Sequence, residues 1–252
     1  MKKHIPNLIT LLNVFCGCVA TVFAVLNQLE LAAFFVFLGI FFDFFDGLAA
    51  RALNVKSELG LQLDSLADVI TSGLVPGVVM FQLLGMSMTG GWNAGDGLGA
   101  GGSEYVWSLF RDPLPLLGFL ITLSSAYRLA KFNIDENQSD SFIGLPTPAN
   151  ALFILSLPLI LLYQNNDYLN MIILDPWFLI GITLLSTYLL NARIALFALK
   201  FENWGFKDNA LRYIFIIISL VLLVTLQFMA VPMIIVFYVL ASVIANMKVQ
   251  GN

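Results

Sequence analysis

Residues 29–68 read LELAAFFVFLGIFFDFFDGLAARALNVKSELGLQLDSLAD. The run over 29–52 is almost continuously apolar, and a helix of that length can cross a hydrocarbon layer about 30 Å thick. A second apolar run, about 62–86, follows after a short turn, so the two helices are expected to be antiparallel. Four aspartates nevertheless lie at or inside their ends: Asp43, Asp46, Asp64 and Asp68. A carboxylate at the centre of a bilayer costs about 2.5–3.5 kcal/mol on insertion scales, so an intramembrane acid points to a functional site. Asp43 and Asp46 are three residues apart, and Asp64 and Asp68 four apart, which sets each pair on one helix face. The short turn lets the two faces meet near one membrane surface.

The rest of the chain fits the same environment. Of 252 residues, 59% are hydrophobic and 11% charged, against roughly 45–50% and about 25% in soluble domains. Lipid can accept that much apolar surface, and a soluble fold cannot hide it. The expectation is an all-α polytopic membrane bundle of about eight transmembrane helices, near 6–27, 29–52, 62–86, 113–132, 147–163, 171–191, 210–227 and 229–247. It forms a single membrane domain over 1–252, with a catalytic core near 5–150 and additional helices over about 151–247.

Basic residues test that count, because short cytoplasmic loops retain positive charge. With eight spans, Lys2, Lys3, Arg51, Lys56, Arg128, Lys131, Arg193, Lys200, Lys207, Arg212 and Lys248 fall on one side and Arg111 alone on the other. Both termini are therefore expected in the cytoplasm, with a multi-pass chain in the cytoplasmic membrane. Met1-Lys2-Lys3-His4 enters an apolar run with no convincing cleavage site. Cys16 and Cys18 point to nearly opposite sides of a helix and cannot pair. A net charge of −4 without a basic tract argues against nucleic acid. The Gly-rich loop over 87–112 lacks the spacing and lysine of a phosphate-binding loop.

Four carboxylates converging in a partly dry site repel one another unless protons or cations intervene. An all-oxygen cluster without His or Cys suits Mg²⁺ or Mn²⁺. The competing reading makes these acids solvated helix ends, paired with Arg51 and Lys56.

The intervening residues bear on that choice. Asp43-Phe-Phe-Asp46-Gly47-Leu-Ala-Ala50-Arg51, eight residues, then Gly60-Leu-Gln-Leu-Asp64-Ser-Leu-Ala-Asp68 resembles the signature of the CDP-alcohol phosphotransferases, a family of integral membrane enzymes. The resemblance implies that a CDP-linked lipid gives its phosphatidyl group to an alcohol and that CMP leaves. It implies two divalent ions held by Asp43, Asp46, Asp64 and Asp68, with Asp68 also the general base. Phosphoryl transfer needs mostly positioning and charge neutralisation, which two metals can supply. Gly47, Ala50, Arg51 and Gly60 belong to the CDP-lipid site on this pattern: glycine admits close approach, and the arginine fork suits phosphate. Asn7, Thr10 and Asn13 recur every three residues on one face of the first span and resemble the family's nucleotide-facing amino-terminal segment; solvated interfacial residues are the competing reading.

The signature does not specify the alcohol. Ser124-Ser-Ala-Tyr-Arg128-Leu-Ala-Lys131-Phe-Asn133 and Phe142-Ile-Gly144-Leu-Pro146-Thr-Pro148-Ala149 resemble the members that use L-serine, although Lys131 stands where arginine is usual. Arg128 and Lys131 share a face and could meet the serine carboxylate, with Asn133 beside them; Asp135, Glu136 and Asp140 could meet its ammonium. A charged helix end fits these residues equally well. The expected partners are CDP-diacylglycerol, L-serine and membrane lipid; the sequence leaves the oligomeric state open, a homodimer included. Glycerol 3-phosphate or inositol are the alternative acceptors, and a cation-coupled transporter is the alternative outside enzymes, since intramembrane carboxylates also mark ion pathways. Cysteines introduced into the loop at 87–112 are expected to react with an impermeant thiol reagent from outside intact cells; labelling from the cytoplasmic side alone overturns the orientation.

Overall fold

The computed structural model describes residues 4–55, 57–89, 111–134, 142–164, 166–196 and 205–250. Lys2, Lys3, Lys56, Lys200, most of the Gly-rich loop and the acidic residues Asp135, Glu136 and Asp140 lie outside them. The described chain is all-α apart from one short antiparallel pairing.

Helix α1 (Ile5–Val25) and helix α2 (Leu29–Ala52) form a tight hairpin. The buried positions of α1 include the small residues Cys16, Gly17, Ala20 and Ala24, and those of α2 include Ala32, Ala33, Val36 and Gly39. Small residues let backbones approach where lipid offers no hydrophobic drive for association. Cys16 is buried and Cys18 exposed, as their spacing requires. Ser57 then accepts the N–H of Gly60 and caps helix α3 (Glu58–Asp68), satisfying an otherwise orphaned donor.

The third predicted span is longer and less regular than its hydropathy indicated. Helix α3 runs through a π-turn (Val69–Leu74) into helix α4 (Val75–Thr89). The turn buries Thr71, Ser72 and Gly73 against α1 and against helix α5 (Phe119–Ile134), which a 3₁₀ turn (Leu114–Gly118) precedes. Helix α6 (Thr147–Tyr163) is buried along nearly its whole length and forms the apolar centre, with Ile154 and Leu155 fully enclosed.

The sixth predicted span is two helices, α7 (Asp167–Ile173) and α8 (Pro176–Asn191), bent by 61° at their junction. Asp175 accepts the N–H of Phe178 and Pro176 occupies the first helical turn, so the sequence starts a new helix there instead of continuing the old one. Helix α9 (Phe206–Leu226) and helix α10 (Ala230–Gln250) fold back on each other, and Phe215 stacks on Phe237 with centroids 5.8 Å apart. Strand β1 (Phe142–Ile143) pairs antiparallel with β2 (Ala195–Leu196), tying the approach to α6 to the exit of α8.

By length and composition, four helical stretches among the described residues can cross a membrane: Ile5–Val25, Leu29–Ala52, Glu58–Met88 and Arg212–Ile244, the last of which takes in the folded-back α9–α10 pair. The bent α7–α8 pair makes a fifth if it counts as one span. Large apolar side chains such as Phe34, Leu123, Trp177 and Val224 are exposed around the bundle, which is the surface lipid covers.

A β-carbon at Gly39 would lie 2.7 Å from Thr71 Cγ2 and 2.8 Å from Asn13 Oδ1, whereas one at Gly181 meets nothing within 4 Å. Gly39→Ala is expected to destabilise the purified protein by about 1–3 kcal/mol through overpacking, and Gly181→Ala to leave it unchanged. Thermal unfolding in detergent reads both.

Candidate active site

The α1–α2 hairpin and α3 converge on the aspartates. Asp43 and Asp46 sit one turn apart near the C-terminal end of α2, and Asp64 lies on the facing side of α3. One carboxylate oxygen from each of the three falls within 4.8 Å of the others. Asp46 is only 6% exposed and accepts a 2.6 Å hydrogen bond from the Thr10 hydroxyl. Asp43 accepts a longer one, 3.4 Å, from the carboxamide N–H of Asn13. Asp68 stands outside that trio; its Oδ2 accepts from the Thr147 hydroxyl at 3.4 Å.

This arrangement fits a divalent ion on two counts. The donor set is all carboxylate oxygen, which hard cations prefer. Three buried or half-buried carboxylates this close are also mutually repulsive, and a bound cation removes the repulsion. Asp43, Asp46 and Asp64 are the residues that would hold such an ion.

A cavity of about 740 Å³ opens beside the trio, lined on one wall by Asn7 and Thr10 and on the others by Gly47, Ala50, Arg51, Gly60, Asp43, Asp46 and Asp64. Gly47 has a steric meaning here: a β-carbon there would touch nothing within 4 Å and would project into open space. At Gly60 a side chain would press on Ser57 Oγ at 3.1 Å and Asn7 Oδ1 at 3.3 Å. The Arg51 Nε donates to Gly47 O one turn back, which bends the guanidinium along its own helix. Phe44 and Leu61 also line the wall. Asn13, expected beside the nucleotide with Asn7 and Thr10, is fully buried beneath the cavity and bonded to Asp43 and Thr71.

A second, smaller cavity of about 290 Å³ contains Arg128, Lys131 and Arg193, with Asn191 on its wall. Arg128 donates through Nη2 to the carbonyls of Ile143 and Gly144 and lies within electrostatic reach of Asp68. Asn133 is not on this wall; it accepts from Ser65 Oγ at 3.0 Å and donates to Gln62. Sequence spacing gave no sign of Arg193, which arrives from the far end of α8, nor of Thr71 and Thr147 as partners of the site. The pair Thr71-Ser72 within an apolar run was the available signal for the first.

With this geometry in view, comparison with known proteins is specific. The model of a family described as CDP-alcohol phosphatidyltransferase matches residues 3–188. The chain belongs to that family. The match runs past the acceptor-side motifs through α7 and most of α8, beyond the segment over 5–150 that the motifs cover. The chain is 34% identical over 150 residues to a CDP-diacylglycerol–serine O-phosphatidyltransferase of Bacillus subtilis, covering 58% of this chain and 70% of that one. It is 32% identical over 231 residues to the protein of the same description from Helicobacter pylori strain 26695, covering 90% and 85%. A Methanocaldococcus jannaschii protein of that description is 30% identical over 171 residues, covering 67% and 68%.

If the aspartate trio holds a divalent ion, purified protein is expected to bind Mn²⁺ in calorimetry and Asp46→Asn to lose at least a tenfold part of that affinity, since one ligand charge disappears. Unchanged Mn²⁺ binding in Asp46→Asn removes the trio as the ion site.

Proposed function

We propose that this chain transfers the phosphatidyl group of CDP-diacylglycerol to the hydroxyl of L-serine, giving phosphatidylserine and CMP. The observation that carries the reading is the aspartate trio forming one wall of a cavity that the residues of the family signature line. The names of the relatives supply the acceptor.

The chemistry follows from what each residue can do. Asp43, Asp46, Asp64 and Asp68 would hold two Mg²⁺ or Mn²⁺ ions, which when bound would supply charge neutralisation for the diphosphate and for the oxygens of the phosphoryl group in transfer. Asn7, Gly47, Ala50, Arg51 and Gly60 hold the nucleotide end of the lipid, with Thr10 keeping Asp46 in orientation. The serine hydroxyl oxygen attacks the phosphorus that carries the diacylglycerol. Its bond to that phosphorus forms as the phosphoanhydride bond to CMP breaks, and the hydroxyl proton passes to Asp68. CMP leaves with the electron pair.

On the acceptor side, Arg128 and Lys131 grip the serine carboxylate in the smaller cavity. Arg128 supports this role by touching both that cavity and the field of Asp68, so a carboxylate held there leaves the serine hydroxyl facing the base. Asn133 contributes through Ser65, one residue from Asp64. The aspartates lie at the cytoplasmic end of an eight-span chain with both termini in the cytoplasm, matching the distribution of basic residues. One membrane domain carries the site and the helices beyond it. Nothing in the geometry of the described residues calls for the homodimer.

Glycerol 3-phosphate and inositol remain the rival acceptors. A panel of alcohols with purified protein, CDP-diacylglycerol and Mn²⁺, followed by CMP release, decides among them, and ion movement without CMP release would favour the transporter instead. Within the serine reading, Arg128→Ala or Lys131→Ala is expected to raise the serine KM by roughly one to two powers of ten, the worth of a charge-assisted hydrogen bond. The KM for CDP-diacylglycerol is expected to stay put. A serine KM unchanged in both variants overturns the carboxylate grip and leaves the charged-helix-end reading.

A further inference from the structure

The Asn13 carboxamide has two ends with opposite requirements. Its Oδ1 lies 2.7 Å from the Thr71 hydroxyl, and its Nδ2 lies 3.4 Å from Asp43 Oδ1. Asn13 and Thr71 are both fully buried, so neither can exchange a lost partner for water. Reversing the amide would turn its oxygen onto the Asp43 carboxylate, two acceptors facing each other. The observed orientation therefore needs a donor at residue 71.

That donor is delivered by the π-turn directly after Asp68. Glycine at 17 and 39 makes room for it: a β-carbon at Gly17 would sit 2.5 Å from Thr71 Oγ1, and one at Gly39 2.8 Å from Asn13 Oδ1. The Thr71 hydroxyl also lies 3.2 Å from the Asn13 carbonyl. It has one proton, and the shorter contact to Oδ1 takes it. A chain of two hydrogen bonds thus runs from the π-turn through α1 to Asp43 on α2.

We propose that Thr71 is a positioning residue for the ion site: its hydroxyl fixes the Asn13 carboxamide, and the Asn13 N–H fixes the Asp43 carboxylate. One oxygen of Asp43 is thereby engaged, and the carboxylate keeps a single orientation toward Asp46 and Asp64. Hydrogen bonds to ligating carboxylates commonly govern affinity from outside the ligand set. The inference rests on the reading of the aspartates as a divalent-ion site.

The test is a double-mutant cycle on purified full-length protein, with Mn²⁺ binding measured by calorimetry and thermal unfolding measured in EDTA. Thr71→Val is expected to weaken Mn²⁺ binding roughly tenfold, and Thr71→Ser, which keeps the hydroxyl, to restore it. In an Asn13→Ala background, Thr71→Val is expected to have no further effect, because the link it acts through is gone. The unfolding temperature in EDTA is expected to fall slightly for Thr71→Ser, which gives up a buried methyl, without a matching loss of Mn²⁺ affinity. A loss in Thr71→Val that persists in full in the Asn13→Ala background, or is not recovered by Thr71→Ser, overturns the proposal. Thr71→Ala replaces the valine variant in the same cycle if that one does not fold. Wild-type affinity in Thr71→Val together with a loss in Asp43→Asn discards the relay and keeps the ion site, whereas wild-type affinity in Asp43→Asn discards the ion site itself.

Discussion

Like charges held close in a medium of low dielectric set the terms for this fold. Two unit charges about 4 Å apart interact by only ~1 kcal/mol in water and by several times that in a protein interior. Asp43, Asp46 and Asp64 each place a carboxylate oxygen within 4.8 Å of the others, on helices whose exposed side chains include Phe41, Phe44, Phe45, Leu61 and Leu66. Such a cluster is tolerable when protons or a cation offset the repulsion and each carboxylate is individually oriented. The orientation is visible in the hydrogen bonds from Thr10 and Asn13, and holding the cation is the proposed role of the site.

Close approach comes from small residues. Ala20 and Ala24 on α1 and Ala32, Ala33 and Gly39 on α2 are buried, Gly17 leaves room for Thr71 of the π-turn, and the Thr10 and Asn13 side chains reach Asp46 and Asp43. A larger side chain on that seam would separate the helices and withdraw both donors together. The polar residues of α1 consequently divide by depth along the helix. Asn7 and Thr10 reach the cavity, while Asn13, nearly two turns from Asn7, serves the carboxylate from below.

The periodicity of the first span made Asn7, Thr10 and Asn13 equivalent, because a three-residue repeat records a face and not a depth. For the same reason hydropathy located the helices over 29–52 and 147–163 closely but could not reveal the π-turn at 69–74, which changes the local period without changing composition. The 61° break before Pro176 was written in the sequence as Asp175-Pro176, a helix start signal inside an apolar run. The pairing of Asp43 with Asp46 was legible because their spacing is local, three residues on one helix, whereas Gly47 and Gly60 were read only through the resemblance and Asp68, expected with the other three, stands outside the trio. Arg193 and Thr147 were not legible, since their proximity to Arg128 and Asp68 depends on how α6 and α8 pack, which no short-range pattern encodes.

The two cavities would receive an anionic group by different means. The larger is walled by three aspartates and Glu58, with Arg51 the one basic residue on its lining; cations on the aspartates would offset that excess of negative charge for a diphosphate. The smaller gathers Arg128, Lys131 and Arg193 and attracts an anion directly. Asp68 lies between them in effect, hydrogen-bonded to Thr147 and within the field of Arg128. Thr147 opens α6 immediately after the turn whose carbonyls Arg128 holds, and the β1–β2 pairing fastens that turn to the end of α8. One short segment therefore carries both the carbonyls that Arg128 holds beside the smaller cavity and the Thr147 hydroxyl that donates to Asp68.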